Sequence, residues 1–319
     1  MVGAGHGVIG LERVDRAEVT IVVDNFVDLL MADADGVRRY LVGDFGGRDQ
    51  LIAEHGFSAL ITVEAHGRRS SLLYDGGLTP AALARNLDVL EVPVRDLRAL
   101  VISHGHADHH GGLEALFERY GRPRLPLVIH PEAWRERKIV FPTGNEVRLP
   151  PPSRSDLEAE GAELIETPGQ SLLLDSTVLV SGQVERRTDF EQGFPIHYAH
   201  SETGWEPDPM IWDDQNVIVN VKGKGLVIVS GCSHAGAVNV LRNAQRLTGE
   251  QRIAGFIGGL HLTGAVFEPI IDPTVDAFAA TGIGRLLPAH CTGWRAVHQL
   301  AQALPDAFVQ PAVGTVVTF

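Results

Sequence analysis

The stretch VISHGHADHHGGLEAL, residues 101–116, decides the fold of this chain. An apolar run ends at Ser103, and a dense set of polar side chains follows. These are His104, His106, Asp108, His109 and His110. Neutral imidazole and carboxylate groups are ligands for zinc and related metals, whereas crowded histidines without a cation repel one another when protonated. The alternative is a polar surface loop, but clustering directly after a predicted strand favours a metal site.

Three more histidines follow apolar runs in the last hundred residues. The runs are LVIVSGCSH, ending at His234, AGFIGGLH, ending at His261, and RLLPAH, ending at His290. Each histidine would lie at the carboxyl end of a strand, which is the edge where α/β sheets place ligands. We predict that His234 and His290 bind metal, and that His261 is either a ligand or a substrate contact.

The composition is typical of a folded chain with a substantial core, and it limits the classes of partner. The 319 residues are 44% hydrophobic and 21% charged, with a formal net charge of −13 and no long basic run. This argues against nucleic acid or an anionic membrane as partners. An anionic small-molecule substrate stays open, because a bound dication inverts the local field.

Location is predicted from what the sequence lacks. It has no apolar run near the ~18 residues of a membrane span, and its N-terminal segment has no signal-peptide pattern. Its two cysteines, Cys232 and Cys291, cannot form a disulfide framework. We therefore expect a cytoplasmic protein.

The order of strand and helix patterns predicts a single α/β domain over residues 1–319. The predicted elements of the first half are a strand at 18–25, a hairpin at 58–77, a helix at 79–90, a strand at 97–103, a helix at 111–121 and a strand at 125–130. Residues 131–160 are polar and proline-rich and are interpreted as a surface excursion. Residues 183–215 are interpreted as a long loop over the site, since such loops are usually functional.

These motifs resemble the metallo-β-lactamase superfamily. HGHADH at 104–109 fits its H-x-H-x-D-H signature, and Asp75 in LLYDGG matches the D-x-G of its early hairpin. The resemblance implies an αββα sandwich with a metal site at one edge of two packed sheets. Segments such as SGQVERRTDFE, GLVIVSGCSHAGAVN and HCTG further resemble the branch named for 7,8-dihydropterin-6-methyl-4-(β-D-ribofuranosyl)aminobenzene 5′-phosphate synthase.

The chain departs from the family pattern at two ligand motifs. Where many hydrolases of the superfamily have T-P-G-H and G-D, this sequence has ETPGQ with Gln170, and either SGQ with Gln183 or SGC with Cys232. Glutamine is a poor zinc ligand, so we expect His234 to enter the site instead. Cys232 is either a bridging thiolate or, as we favour here, a small buried residue under the site. Without a bridging carboxylate, water or a substrate oxygen would link two metals, and a single metal is also an option.

The resemblance and the spacing together suggest two ligand groups, which we number by metal position. Site 1 consists of His104, His106 and His234, and site 2 consists of Asp108, His109 and His290. Two dications about 3.5–4 Å apart lower the pKa of a shared water and clamp an oxyanion. We predict Zn²⁺ as the cofactor, as one or two ions, with Mn²⁺ or Fe²⁺ as alternatives. Asp108 is also the predicted catalytic residue, because it can orient that water as an acid or base.

Other residues are predicted to support the site. Asp75 is expected to hold a ligand histidine by its second ring nitrogen. Asp24 either does the same or caps a turn. Arg186 and Arg187 are candidates for gripping a phosphate or carboxylate, with solvated surface charge as the alternative.

Three functions follow from these predictions. The first is a metal-dependent hydrolase of a phosphoester, lactone or similar ester. The second is a transferase like the dihydropterin synthase, with a pterin-like, anionic substrate. The third is a metal-binding protein without turnover, which the missing T-P-G-H and G-D motifs keep open.

Overall fold

The computed structural model describes residues 7–41, 43, 50–120 and 124–319. The strands are β1 Arg13–Val14, β2 Arg16–Val23, β3 Val37–Arg38, β4 Ser58–Ala65, β5 Arg68–Tyr74, β6 Leu97–Val101, β7 Leu125–Ile129, β8 Arg137–Val140, β9 Glu146–Leu149, β10 Ala162–Glu166, β11 Ser171–Leu173, β12 Val178–Val180, β13 His197–Ser201, β14 Gly204–Pro207, β15 Asn216–Val221, β16 Gly225–Ser230, β17 Ile253–Gly259, β18 Leu286–Ala289 and β19 Val316–Thr318. The helices are α1 Pro80–Val89, α2 Ala107–His110, α3 Leu113–Tyr120, α4 Arg154–Ala159, α5 Ala237–Thr248, α6 Ile271–Ala279 and α7 Trp294–Ala303.

Two mixed sheets form the body of the molecule. The first sheet has the order β10-β7-β6-β5-β4-β2-β19-β3. The second has the order β11-β12-β15-β16-β17-β18, with β1 also paired to β15. In the first sheet β5, β6, β7 and β10 run parallel, and in the second β16, β17 and β18 do. Both parallel blocks follow from the alternation of apolar strand and helix in the sequence.

The two sheets pack face to face, and helices cover both outer faces. Ile61 and Val101 of the first sheet belong to the same buried cluster as Val219 and Val229 of the second. A second cluster joins the first sheet to α1 and α3, and a third joins the second sheet to α5, α6 and α7. Each such side chain contributes about 1.5–3 kcal/mol when fully buried. The predicted αββα sandwich is therefore confirmed.

Helix α1 begins as the sequence predicts. Pro80 occupies its first position, and the Thr79 hydroxyl accepts a hydrogen bond from the Ala82 N–H at 3.3 Å. Proline suits this position because its missing N–H would have no partner in the helix, and the threonine satisfies one of the remaining free donors.

Residues 131–160 and 183–215 are more ordered than an excursion and a loop, and this part of the sequence interpretation is corrected. They contribute β8 and β9 on one side and β13 and β14 on the other, which pair as a small sheet of order β14-β13-β8-β9. The first segment also contains α4. The strands were missed because each is only four or five residues long, and β8 pairs with β13 about sixty residues away.

The carboxyl ends of the parallel strands of both sheets meet at one edge of the sandwich, where the histidines lie. Two glycines before His261 make this possible. A Cβ on Gly258, where φ is +127°, would lie 1.8 Å from the Ser230 carbonyl oxygen, and one on Gly259 would lie 2.5 Å from Cys291 Sγ. Only glycine lets β17 approach this closely. Within the described ranges, no helix is long and apolar enough to cross a membrane.

Candidate metal centre

The structure brings the predicted ligands together at this edge from both sheets. The loop after β6 and helix α2 supply His104, His106, Asp108 and His109, while the loops after β16 and β18 supply His234 and His290. The ligand atoms of Asp108, His109, Cys232 and His290 lie within 4.8 Å of one another. Those of His104, Cys232 and His234 do the same. His104 Nε2 is 3.0 Å from His106 Nδ1, which places His106 in site 1 as well.

The spacing of these atoms suits a cation with tetrahedral coordination. Zinc bonds of about 2.0–2.3 Å at tetrahedral angles keep ligand atoms about 3.3–3.8 Å apart. In site 2, Asp108 Oδ2 is 3.2 Å from His290 Nε2 and 3.7 Å from His109 Nε2. The 3.0 Å between His104 and His106 is slightly shorter than this range. Shifts of a few tenths of an ångström would therefore accommodate an ion.

Hydrogen bonds fix the ring orientation of both histidines in site 2. His109 Nδ1 donates to Asp75 Oδ2 at 2.7 Å, and the other oxygen of Asp75 accepts the Ser103 N–H at 2.7 Å. His290 Nδ1 donates to Asn25 Oδ1 at 3.1 Å. With the proton on Nδ1, the lone pair of each Nε2 faces the site. The structure thus places Asp75 where the sequence predicted it.

Asp24 has a different contact from the one that we first considered. Its carboxylate accepts the backbone N–H of His290 at 2.8 Å rather than a ring nitrogen. Burial raises the pKa of Asp24 to about 6, although nearby backbone N–H groups and His290 oppose this. Asp24 therefore positions the His290 backbone, which corresponds to its predicted alternative as a turn cap.

In site 1, His106 is oriented by a residue that the sequence did not reveal. His197 Nδ1 donates to the Asp208 carbonyl oxygen at 2.8 Å, so its Nε2 is an acceptor. His106 Nε2 donates to that atom at 3.0 Å, which leaves the lone pair of His106 Nδ1 facing His104. His104 Nδ1 is in turn 2.8 Å from Ser103 Oγ. His197 lies on β13, whose sequence has no recognisable ligand motif.

His234 is the exception in site 1, because neither of its ring nitrogens has a hydrogen-bond partner although both are buried. Packing holds the ring: Phe194 lies nearly parallel to it, at 13° and 6.4 Å, and the His261 ring is 4.3 Å away. A buried polar group without a partner costs about 1–3 kcal/mol. A cation bound to one nitrogen would remove much of that cost, so the residues present fit a metal.

The charges of the site also suit a cation. Burial, with the neighbouring histidines, lowers the pKa of His104 and of His234 well below the usual histidine value, so both rings are neutral. Neutral imidazole is the form that binds metal. Burial favours protonation of Asp108, but His109 and His290 outweigh it and hold its pKa well below the usual range.

A buried ion-pair network supports the loop between His104 and His106. Arg137 is fully buried and donates to both carboxylate oxygens of Asp213, at 2.6 and 2.9 Å. Asp213 Oδ2 accepts the N–H of Gly105 at 2.8 Å. Arg137 and Asp213 are far apart in the sequence, in segments without a motif, and only burial reveals their role.

The remaining predicted residues lie at or near the centre with different contacts. His261 Nδ1 is buried without a partner, and this residue forms a third group with Cys232 and Cys291. Arg186 donates to the carbonyl oxygens of Met210 and, at 3.2 Å, of His234, so it braces the backbone at a ligand. Arg187 instead pairs with Glu185 at the surface, and a substrate anion would first have to displace that carboxylate.

His55 is a further neighbour of the site that the sequence analysis missed. Its Nε2 lies 3.6 Å from Asp108 Oδ2, and its side chain is 64% exposed. It lies just before β4, in the stretch AEHGFSALI, where a single histidine gives no spacing signal. His55 therefore marks the solvent side of site 2.

Comparison with known proteins agrees with the fold. Residues 53–208 match the family model described as the metallo-beta-lactamase superfamily. Residues 53–208 thus belong to a metallo-β-lactamase superfamily domain. A solved structure described as a metal-dependent hydrolase of the β-lactamase superfamily covers 95% of this chain and 98% of its own, with a TM-score of 0.71 and 21% identity. That likeness shows the fold of this metallo-β-lactamase domain.

Two curated relatives from Methanocaldococcus jannaschii extend the similarity along the chain. One is named 7,8-dihydropterin-6-methyl-4-(β-D-ribofuranosyl)-aminobenzene-5′-phosphate synthase. It is 27% identical over 89% of this chain and 97% of its own length. The other is an uncharacterized protein, 29% identical over 84% of this chain and 94% of its own length. The predicted resemblance is therefore confirmed.

Proposed function

We propose that this protein is a metal-dependent hydrolase that cleaves a phosphoester, lactone or similar ester. The observation that carries the proposal is the meeting of the site 1 and site 2 groups from two different sheets. The residues of both groups would hold two dications, which would supply an activated water and stabilise the oxyanion that develops in the reaction. The histidine, carboxylate and thiol donors favour Zn²⁺, with Mn²⁺ or Fe²⁺ as the alternatives.

The residues of site 2 have separate roles in this proposal. His109 and His290 present fixed Nε2 lone pairs, because Asp75 and Asn25 hold their other nitrogens. Asp108 is the catalytic residue. Its carboxylate is 20% exposed, so it can accept a hydrogen bond from the attacking water and orient it toward the substrate.

A second candidate is transfer of a dihydropterin-methyl group to an aminobenzene ribotide, with departure of pyrophosphate. The curated synthase supports it, since the similarity extends over nearly all of that relative. A cavity of about 250 Å³ beside His234 and His261 gives further support. Phe190 and Phe267 line it, and such walls suit a flat ring.

The test combines metal analysis with a panel of substrates. Protein purified without added metal is assayed for bound metal. It is then given phosphodiesters, lactones, or a dihydropterin pyrophosphate with an aminobenzene ribotide. Ester turnover supports the hydrolase, whereas pyrophosphate release that requires the ribotide supports the transferase. Binding of metal without either reaction would leave the non-catalytic metal-binding protein.

A matched pair of variants ties the result to the site. We expect His106→Ala to lose bound metal and turnover, because it removes a site 1 ligand. His298→Ala changes an exposed histidine of α7 and should keep both. Full metal content and full activity in His106→Ala would contradict the proposal.

A further inference from the structure

Cys232 lies between the two ligand groups. It follows β16 and is 2% exposed. The loop that contains it packs closely against the first sheet. The Gly231 N–H donates to Tyr74 Oη at 2.9 Å, and a Cβ on Gly231 would lie 2.4 Å from Ser103 Oγ. This close approach carries the next side chain in the sequence, that of Cys232, into the space between the sheets.

The sulfur of Cys232 is shared by the two groups. It lies within 4.8 Å of the ligand atoms of Asp108, His109 and His290, and also of those of His104 and His234. In the described part of the chain, the only carboxylate in either group is that of Asp108. Because Asp108 belongs to site 2 alone, an anionic bridge between two cations must come from the thiol or from outside the protein.

We propose that Cys232 binds both metal ions as a bridging thiolate, which rests on the metal centre of the proposed function. Its Sγ is 3.2 Å from His109 Nε2, the lone-pair nitrogen of that ring. A zinc ion bonded to both atoms, at about 2.3 and 2.0–2.1 Å, fits near this separation. The thiol proton leaves to solvent as the ion binds, and the sulfur retains lone pairs for the second ion.

This inference replaces our sequence-based preference for a small packing residue. A packing residue needs only volume, and an apolar neighbourhood would serve it. The side chains grouped around this sulfur are instead imidazoles and a carboxylate, two of which have ring nitrogens buried without hydrogen bonds, His234 and His290. Those unpaired nitrogens point to a ligand independently of the cysteine.

Cys291 provides a matched control. Its Sγ is 3.2 Å from Cys232 Sγ, and both cysteines are buried. Among the candidate groups, however, it occurs only in the one with Cys232 and His261. Cys291 thus has the same chemistry and burial but belongs to neither ligand group.

The test is cobalt substitution of the full chain, with a readout that does not depend on activity. The chelator-stripped, reduced protein is titrated with Co²⁺ and its absorbance is recorded. Thiolate bonded to Co²⁺ gives a charge-transfer band in the near ultraviolet. We expect this band to grow through the first and the second equivalent of cobalt, and the isolated high-spin cobalt EPR signal to weaken over the second.

Three variants complete the test. Cys232→Ser should lose the band, and Cys291→Ser should keep it. Cys232→Asp should bind two cobalt ions without the band, because a carboxylate can also bridge. Circular dichroism of each metal-free variant shows whether it folds. If Cys232→Ser does not fold, Cys232→Asp still decides the question, because it should bind two cobalt ions and lack the band.

The outcomes separate this proposal from the proposed function. Two bound cobalt ions without a charge-transfer band would overturn only the thiolate bridge, and so would a band that stops growing at one equivalent. If Cys291→Ser loses the band and Cys232→Ser keeps it, the thiolate bonded to cobalt is Cys291, and the proposed bridge by Cys232 is overturned. Failure of the wild-type protein to bind cobalt would overturn the metal centre, and the bridge with it.

Discussion

The two ligand groups differ in how their histidines are held before any ion binds. In site 2, His109 and His290 are both anchored through Nδ1, by Asp75 and Asn25. In site 1, His234 has two buried ring nitrogens without partners and is held by ring packing alone. Site 2 is therefore preorganised, whereas site 1 would be completed by an ion.

This difference has an energetic consequence for metal binding. An anchored ring loses little freedom when it binds, and its partner raises its basicity. The His234 ring nitrogens are buried without hydrogen-bond partners, which lowers the stability of the metal-free protein. An ion bonded to one of them in site 1 would remove much of this free-energy cost. The metal-free protein thus tolerates changes at the two sites to different degrees.

The largest effect is expected when site 2 loses its carboxylate. Asp108→Asn should release one of two ions and lower turnover on the order of 1,000-fold, because metal activation of water is worth several kcal/mol. Metal analysis and steady-state rates measure both effects. Asp88→Asn, at a half-exposed residue that pairs with Arg119, is the control and should change neither. Unchanged turnover in Asp108→Asn would show that Asp108 is not the catalytic residue.

The comparison is tested directly by replacing one histidine from each site with leucine. In chelator-treated protein, His109→Leu should lower the free energy of unfolding by about 3–5 kcal/mol, because it leaves the buried Asp75 carboxylate without its ring partner. His234→Leu should change it by no more than about 1 kcal/mol, since it removes a polar ring that already lacks partners. Urea unfolding measures both. Equal losses would end the distinction between the sites.

Stability against pH sharpens the same distinction. Burial lowers the pKa of His109, but Asp108 and Asp75 outweigh it and raise the value to about 9. The native, metal-free protein then holds a second ring proton, on His109 Nε2, where a bound ion would displace it; the unfolded chain releases this proton near pH 6.5. This stabilisation, about 3 kcal/mol, is present below pH 6.5 and is lost as the pH rises through about 9. Urea unfolding from pH 6 to 9.5 should show the decline, and His109→Leu should lack this contribution.

The smallest effect concerns the anchor of site 2 rather than its ligands. Asp75→Asn keeps the shape but presents an N–H to His109, which favours the wrong tautomer. We expect metal affinity to fall about 10–100-fold, as for other residues that orient ligands. Asp24→Asn keeps an acceptor for the His290 N–H and should change affinity less than about threefold. Competition with a chromophoric chelator gives both values, and a reversed order would contradict the assigned roles.

Strand-terminal histidines made the fold, and the meeting of most candidate ligands, predictable. The apolar runs before His104, His234 and His290 fixed three strands, and the carboxyl edge of parallel strands brings their ends together. Local spacing carried this information. The small sheet was missed because its central pair, β8 and β13, comes from segments that no local pattern connects.

The supporting residues of the site could not be predicted in the same way. His197 acts on His106 from 91 residues away, and Arg137 reaches Asp213 from 76 residues away. Their roles depend on burial and on tertiary contacts, which a single sequence does not show. The cytoplasmic location and the identity of the metal stay predictions.

The candidate ligands differ in exposure, so the centre is most open to solvent on one side. The side chains of His109 and His290 are completely buried, while that of Asp108 is 20% exposed and lies beside the largely exposed His55. Ions and reactants would therefore arrive and leave past this aspartate. A bulky group attached at position 55 would slow the exchange of metal and product without changing the metal affinity of the buried ligands.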